Sequence, residues 1–224
     1  MDCFEPIASP AAPQDGIVGC DHPASLRSPD AASPNQLDNI GNLDEAVCQG
    51  DGMRFTPIIG TLAYLWDRDR DQVLLIRRNA RADDDHFGKV NGLGGKVEAG
   101  EDVVTSARRE IREEAAVEAT EMALRGTITF TDFGPNREQW LIFVFLVERW
   151  TGDCASSNAE GSLEWVSRVQ LLDACEGGPA REDLPMWAGD RHFVPLVFDQ
   201  DPRPFHGSMP YDADVPISWD HVRL

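Results

Sequence analysis

From residue 57 onward the chain alternates strand-length apolar runs with short polar breaks. Pro57 to Trp66 is rich in β-branched and aromatic residues and reads as a strand. The charged stretch Asp67 to Asp71 reads as a turn, and Gln72 to Arg77 (QVLLIR) as the hairpin partner. Asn79 to Gly88 is a polar loop. Asp102 is placed to cap a helix running to about Ala115, its charge favoured at the N-terminal end. Two long strand-like runs follow, Ala123 to Phe133 and Glu138 to Trp150, joined at Gly134-Pro135-Asn136. After a turn-rich connection over Trp150 to Ala159 come a short strand (Leu163 to Val166), a short helix (Arg168 to Ala174), a loop (Glu176 to Pro185) and another helix (Arg191 to Asp199). Phe205 to Met209 and Val215 to Trp219 are candidate closing strands. No internal repeat is evident, and the pattern predicts a mixed sheet with helices on its faces. The longest apolar run, Trp140 to Val147, is far too short to cross a bilayer, so no membrane partner is expected.

Residues 1–52 break this pattern. They are rich in Ala, Pro, Asp, Ser and Asn, and carry nine acids against Arg27 alone, a net −8 within a chain total of −19. Such a segment cannot bury enough apolar area to offset its ordering entropy. The expectation is therefore a disordered acidic tail over 1–52, with a brief helix near Asn42 to Val47, and a folded domain over 53–224. Met53 opens MRFTPIIGTLAYLWD as a natural start of the fold. That leaves two readings of the tail: an upstream extension outside the functional domain, or a regulatory or interaction segment. The intact mass of the natively expressed protein distinguishes them.

The acidic balance argues against binding a nucleic-acid polymer through a basic surface. An acidic protein acting on an anionic substrate needs local cations, which metal ions, Lys96 and nearby arginines would supply. Five cysteines stand at 3, 20, 48, 154 and 175, odd in number and without a CxxC pair or zinc spacing, which reads as reduced thiols in a cytoplasmic protein. The start, MDCFEPIASPAAP, lacks the basic and apolar regions of a secretory signal.

The densest chemistry lies between Gly95 and Val117 (GKVEAGEDVVTSARREIREEAAV). On a helix, positions three or four apart share a face, so Glu110, Glu113 and Glu114 crowd their carboxylates together. Like charges this close repel unless a cation sits among them. Hard divalent cations such as Mg²⁺ take oxygen ligands and keep waters and substrate phosphates as co-ligands. The stretch thus reads as a metal site holding a phosphorylated compound. The plainer alternative is a solvated helix whose acids are neutralised by Arg108, Arg109 and Arg112. The glycines at 92, 94 and 95 weigh against it, because they let backbone approach closely or adopt dihedrals that other residues resist.

At these residues the chain resembles the Nudix hydrolases. Their signature is a glycine, five residues, a glutamate, seven residues, Arg-Glu, an aliphatic, any residue, Glu-Glu, any residue, a glycine and an aliphatic. Gly95, Glu101, Arg109, Glu110, Ile111, Glu113, Glu114 and Val117 all fall in register. Ala116 departs from it, standing where the family has its closing glycine. A glycine just past a helix commonly takes a left-handed conformation, which costs an alanine about 1 kcal/mol. Val90 to Lys96, Glu160 to Val166, Met186 to Asp190, His192 to Leu196 and Phe205 to Gly207 are similar to the MutT-type enzymes that sanitise oxidised purine nucleoside triphosphates. The likeness spans about residues 55 to 220.

The resemblance implies an α+β protein with the Nudix-type α/β/α sandwich and mixed β-sheet. It implies an enzyme using Mg²⁺, with Mn²⁺ a possible substitute, to hydrolyse an 8-oxo-dGTP-like nucleotide to the monophosphate and pyrophosphate, and so protect DNA from damaged precursors. Glu110 and Glu114 are the strongest implied metal ligands, with the Gly95 carbonyl beside them. Glu113 either ligates a further ion or takes the proton from the attacking water. Glu160 is a candidate ligand or base, and equally a solvated loop acid. Arg109 orients the glutamates; Glu101 pairs with Arg109 or supports the loop. Lys96 either contacts phosphate or balances nearby acids.

Asn91 is implied to read the purine edge, since an amide both donates and accepts, although Asn before Gly also forms turns. Trp187 stacks on the base or belongs to the core. Asp190 hydrogen-bonds the purine; some relatives have two adjacent aspartates where this chain has Gly189-Asp190. Two rival readings keep the family and change the function: a pyrophosphatase for a nucleotide sugar or ADP-ribose, and a non-catalytic nucleotide sensor. The intact glutamate set speaks against the sensor. The expected partner is a small nucleotide, with the chain a monomer or homodimer.

Overall fold

The computed structural model describes residues 55–84 and 86–223. The acidic tail and the brief helix expected near Asn42 to Val47 lie outside the described residues. The elements run β1 (Ile58–Asp67), β2 (Gln72–Arg78), β3 (Val90–Asn91), α1 (Val103–Ala115), β4 (Glu118–Phe133), β5 (Glu138–Thr151), β6 (Gly161–Ser167), α2 (Arg168–Glu176), a 3₁₀ turn (Pro179–Arg181), α3 (Asp190–Phe198), β7 (Phe205–Ala213), β8 (Val215–Pro216) and β9 (Asp220–Arg223).

The sheet runs in the order β3-β2-β1-β5-β4-β7-β8, with β6 on the flank of β2 and β9 on β7. β1 pairs parallel with β5 and β4 parallel with β7, whereas β1–β2, β2–β6 and β4–β5 are antiparallel. The sheet is thus mixed, and both of its faces are buried. Successive strand residues point to opposite faces. Tyr64, Val73 and Leu75 accordingly pack with Leu171 of α2 and Phe193, Val194 and Val197 of α3. Their neighbours Ala63, Leu65, Leu74 and Ile76 pack with Ala107, Ile111 and Ala115 of α1. Burial on both faces explains why these strands read as nearly continuous apolar runs rather than as alternation. The result is an α/β/α sandwich, with α1 on one face and α2 and α3 on the other.

Three expectations are corrected. β4 begins at Glu118, five residues before the expected Ala123, because the polar stretch Glu118 to Met122 pairs with the far end of β5 through a series of bulges. Bulges disturb the period that sequence reading relies on. Of the expected closing strand over Val215 to Trp219 only Val215 and Pro216 form a strand, β8, and a further strand, β9, lies beyond it; each pairs with β7. Pro216 occupies a ladder position that needs no N–H, the Ile217 N–H beyond it still donates to the Pro210 carbonyl at 2.8 Å, and pairing with β7 resumes at Asp220. Finally, a short strand, β3, forms where none was expected, when Val90 and Asn91 pair with Arg77 and Ile76.

Ala116 adopts φ 60° and ψ 26°, and its N–H closes the end of α1 on the Arg112 carbonyl at 3.0 Å. The left-handed turn is therefore kept although the residue is not glycine. Ala116→Gly should relieve the strain and stabilise the protein by about 1 kcal/mol, read as a rise in denaturation midpoint.

Candidate active site

Asp102 starts α1 by accepting hydrogen bonds from the backbone N–H groups of Val104 (2.8 Å) and Thr105 (3.0 Å). The helix then turns Ala107, Ile111 and Ala115 onto the sheet, and Glu114 goes inward with them, only 7% exposed. Its Oε2 accepts from the Gly94 N–H at 2.8 Å. The glycine loop itself lies along β1. Thr61 N–H donates to the Gly95 carbonyl (2.9 Å), and Leu93 exchanges two backbone bonds with Ala63. Gly94 has φ +147°, and a Cβ there would stand 2.1 Å from the Thr61 carbonyl oxygen. At Gly95 a Cβ would stand 2.4 Å from Oε1 of Glu110. What the glycines approach so closely is β1 on one side and a helix carboxylate on the other.

Arg109 is the hub of the exposed side of this cluster. Its Nη1 donates to Glu110 (2.9 Å) and Glu113 (3.2 Å), while Nε and Nη2 hold both oxygens of Glu101. The bond from Arg109, with the Glu98 N–H, keeps the Glu101 carboxyl down at about 2. Glu101 thus bonds both Arg109 and, at 2.9 Å, the Glu98 N–H of the preceding loop. Glu113 lies mostly exposed at the edge of the cluster.

Glu114 and Glu160 are different. Burial raises the Glu114 pKa well above the ordinary carboxylate range, the Gly94 N–H works against this, and the negative charge of the facing Glu160 adds to it. Burial likewise raises Glu110, opposed by Arg109, with Glu113 and Glu160 contributing repulsion. Glu160 also pairs with Arg78, which holds Asp84 at 2.8 Å. Among the described residues no three such side chains already converge as a finished cation site. The donor set nonetheless suits a hard cation: it is all oxygen, and Glu110 and Glu160 stand close enough to Glu114 to repel it, a repulsion that a metal ion would offset.

A cavity of about 530 Å³ opens beside these acids. Gly94, Gly95, Lys96, Glu114 and Glu160 line it near α1, and Asn91, Trp187 and Asp190 line it too. Glu101, Arg109, Glu110 and Glu113 do not; Glu110 lies against Gly95. Asn91 stands on β3, its Oδ1 accepting from the Gly92 N–H at 2.9 Å. The Trp187 indole donates to His86 Nδ1 at 3.0 Å, packs edge-on against Phe133, and carries Lys89 Nζ 4.9 Å above its ring. Lys96 Nζ lies 5.3 Å from the Trp140 ring centre.

Asp190 is the first residue of α3 and its Oδ2 accepts from the Trp187 N–H at 3.1 Å. Arg125 holds the other end of that helix by donating to the Val197 carbonyl (2.8 Å) and to Asp199 (2.9 Å). Burial pushes the Asp190 pKa up to about 7, with the Trp187 N–H and Lys89 pulling it back. The unfolded chain loses that proton near 3.8 and the folded pocket retains it to about 7. Between those values the folded state binds more protons, so its stability falls as pH rises. Asp190→Asn should flatten this part of the stability profile, seen as a smaller change in melting temperature than the parent shows from pH 4 to pH 7.

Arg78, His86, Lys89 and Tyr211 also line the cavity and went unread in the sequence. Their partners are remote along the chain: Arg78 meets Glu160 and His86 meets Trp187, and no local spacing marks either pair.

The NUDIX domain model matches residues 56–197, and the chain belongs to the Nudix hydrolases, enzymes that act on phosphoanhydride bonds. The family takes small nucleotide substrates and generally uses divalent metal ions. The chain is 31% identical over 151 residues to the uncharacterized Nudix hydrolase YvcI of Bacillus subtilis, a match covering 66% of this chain and 84% of that one. It is 30% identical over 113 residues to the oxidized purine nucleoside triphosphate hydrolase of Danio rerio, covering 50% of this chain and 65% of that protein's length. Among solved structures, the MutT protein of Bacillus halodurans superposes with a TM-score of 0.58 at 26% identity, covering 73% of this chain and 97% of that one. Among the described residues no helix is long and apolar enough to cross a membrane.

Proposed function

We propose that this enzyme hydrolyses an oxidised purine nucleoside triphosphate, of the 8-oxo-dGTP kind, to the monophosphate and pyrophosphate, with Mg²⁺ as its metal ion and Mn²⁺ as a substitute. One observation carries the reading. A single cavity is lined by the buried Glu114 and the half-buried Glu160 and also by Asn91, Trp187 and Asp190, so one nucleotide can present its phosphates to the acids and its base to the other three. The likeness to the Danio rerio hydrolase supports the choice of base.

In this reading Glu110 and Glu114, with the Gly95 carbonyl, hold the metal, and Glu113 and Glu160 complete the set. The Gly95 carbonyl already accepts one bond from Thr61, which leaves a second lone pair. The metal supplies activation of water, charge stabilisation on the phosphoryl oxygens and orientation of the leaving group. Arg109 fixes Glu110 and Glu113 in place, and Lys96 meets a phosphate. Asn91 and Asp190 hydrogen-bond the base while Trp187 stacks on it. Protons leave the attacking water through Glu113 or Glu160.

The test is a panel of oxidised and ordinary purine triphosphates, pyrimidine triphosphates, ADP-ribose and nucleotide sugars, run with and without Mg²⁺, with the phosphate products identified. Metal-dependent release of pyrophosphate, fastest from an oxidised purine, is the expected result. Faster cleavage of ADP-ribose or of a nucleotide sugar would overturn the substrate assignment and leave the chemistry intact.

A further inference from the structure

Tyr211 is only 3% exposed and lines the cavity on β7. Its ring is locked edge-on against two others, Phe133 with centres 4.9 Å apart and Phe130 at 5.4 Å. Its hydroxyl makes no hydrogen bond to any described residue. Burying a hydroxyl without a partner is costly, and buried polar groups normally find one. Nor is the oxygen sealed inside the protein. The sealed, unpartnered side-chain oxygen among the described residues is Oγ1 of Thr61. The Tyr211 hydroxyl instead borders the cavity.

Its position is informative. A Cβ built on Gly189 would stand 2.0 Å from the Tyr211 oxygen and 2.6 Å from the Met209 sulfur. The phenol therefore occupies the space that a side chain at 189 would need, immediately beside Asp190. That explains why position 189 is glycine here. It also places a group that both donates and accepts next to a carboxyl, in the cavity that Asn91 lines. Burial and the nearby Asp190 push the phenol far above its ordinary pKa, so it stays neutral.

We propose that the Tyr211 hydroxyl is a base-contacting, specificity-determining group, which hydrogen-bonds the edge of a purine alongside Asp190 in place of a side chain at residue 189. This rests on the base-pocket reading above. The partner it selects is a ring N–H, ring nitrogen or exocyclic oxygen on the purine, and a base lacking such an atom at that point leaves the hydroxyl unpaired.

Tyr211→Phe keeps the aromatic packing and removes only the oxygen. Binding of 8-oxo-dGMP, dGMP and dCMP is measured by calorimetry without metal, for the parent and the variant. The parent should prefer a purine. The variant should bind that purine about tenfold more weakly and bind dCMP unchanged. In turnover, the loss should fall on KM rather than kcat. Gly189→Ala is the second variant: its methyl group must displace the hydroxyl and press on the Met209 sulfur, so it should produce the same selective loss, and in the Tyr211→Phe background, where only the sulfur contact remains, a smaller further loss that falls equally on all three nucleotides. A purine-selective parent whose selectivity survives Tyr211→Phe would overturn the role of Tyr211 and leave the base pocket standing. A uniform loss on all three nucleotides would reduce Tyr211 to packing. A parent that shows no base preference would remove the pocket reading, and the role of Tyr211 with it.

Discussion

Glu114→Gln is expected to lower kcat about 10³-fold, equivalent to roughly 4 kcal/mol of lost transition-state stabilisation, in a protein that remains folded. Glutamine preserves the shape of the side chain and an oxygen to accept the Gly94 N–H, now 2.8 Å from Oε2. What it removes is the negative charge needed to hold a cation against Glu110 and Glu160. Because Glu114 is buried and its ionisation is already opposed by burial and by Glu160, the neutral amide should leave the melting temperature unchanged or raise it. Calorimetric Mg²⁺ binding should weaken in parallel with the rate. A near-normal rate at saturating Mg²⁺ would remove Glu114 from the metal-holding role.

For Asn91→Ala the expected result is a drop of about 30-fold in kcat/KM for the oxidised purine triphosphate, and a much smaller drop for triphosphates with other bases. The asymmetry follows from the two jobs its amide can do. Oδ1 fixes the Gly92 N–H at 2.9 Å, and losing that loosens the glycine loop for every substrate alike. Any hydrogen bond to the base matters only for a base that fits it. Kinetics across the panel separate the two, and an equal loss for all nucleotides would assign Asn91 to the loop.

Much of the fold was legible because its signals are local. The cap at Asp102, the apolar positions 107, 111 and 115, and the hairpin of β1 and β2 each follow from neighbours in sequence. The left-handed residue after α1 was legible even though alanine fills it. The two short strands that pair with β7 near the end of the chain and the bulged start of β4 were not, because pairing with β7 and β5 decides them. At the site, the spacing of Glu110, Glu113 and Glu114 places all three on one helix. It does not say that Glu114 is buried against Gly94, that Glu113 lies exposed, or that Arg109 ties Glu101, Glu110 and Glu113 together.

The sequence by itself determined the family, the helix that carries the acids, the glycines that must lie against it and the acidic balance that demands local cations. These are properties of residue type and spacing, which the chain carries before it folds. Only the tertiary structure decided that Glu160 faces Glu114, that Arg78 steadies Glu160 and that Tyr211 fills the space beside Gly189. Each of these joins residues more than twenty positions apart. Such contacts depend on strand order and on which face a side chain takes, and a sheet arranged β3-β2-β1-β5-β4-β7-β8 brings together what no window of sequence contains.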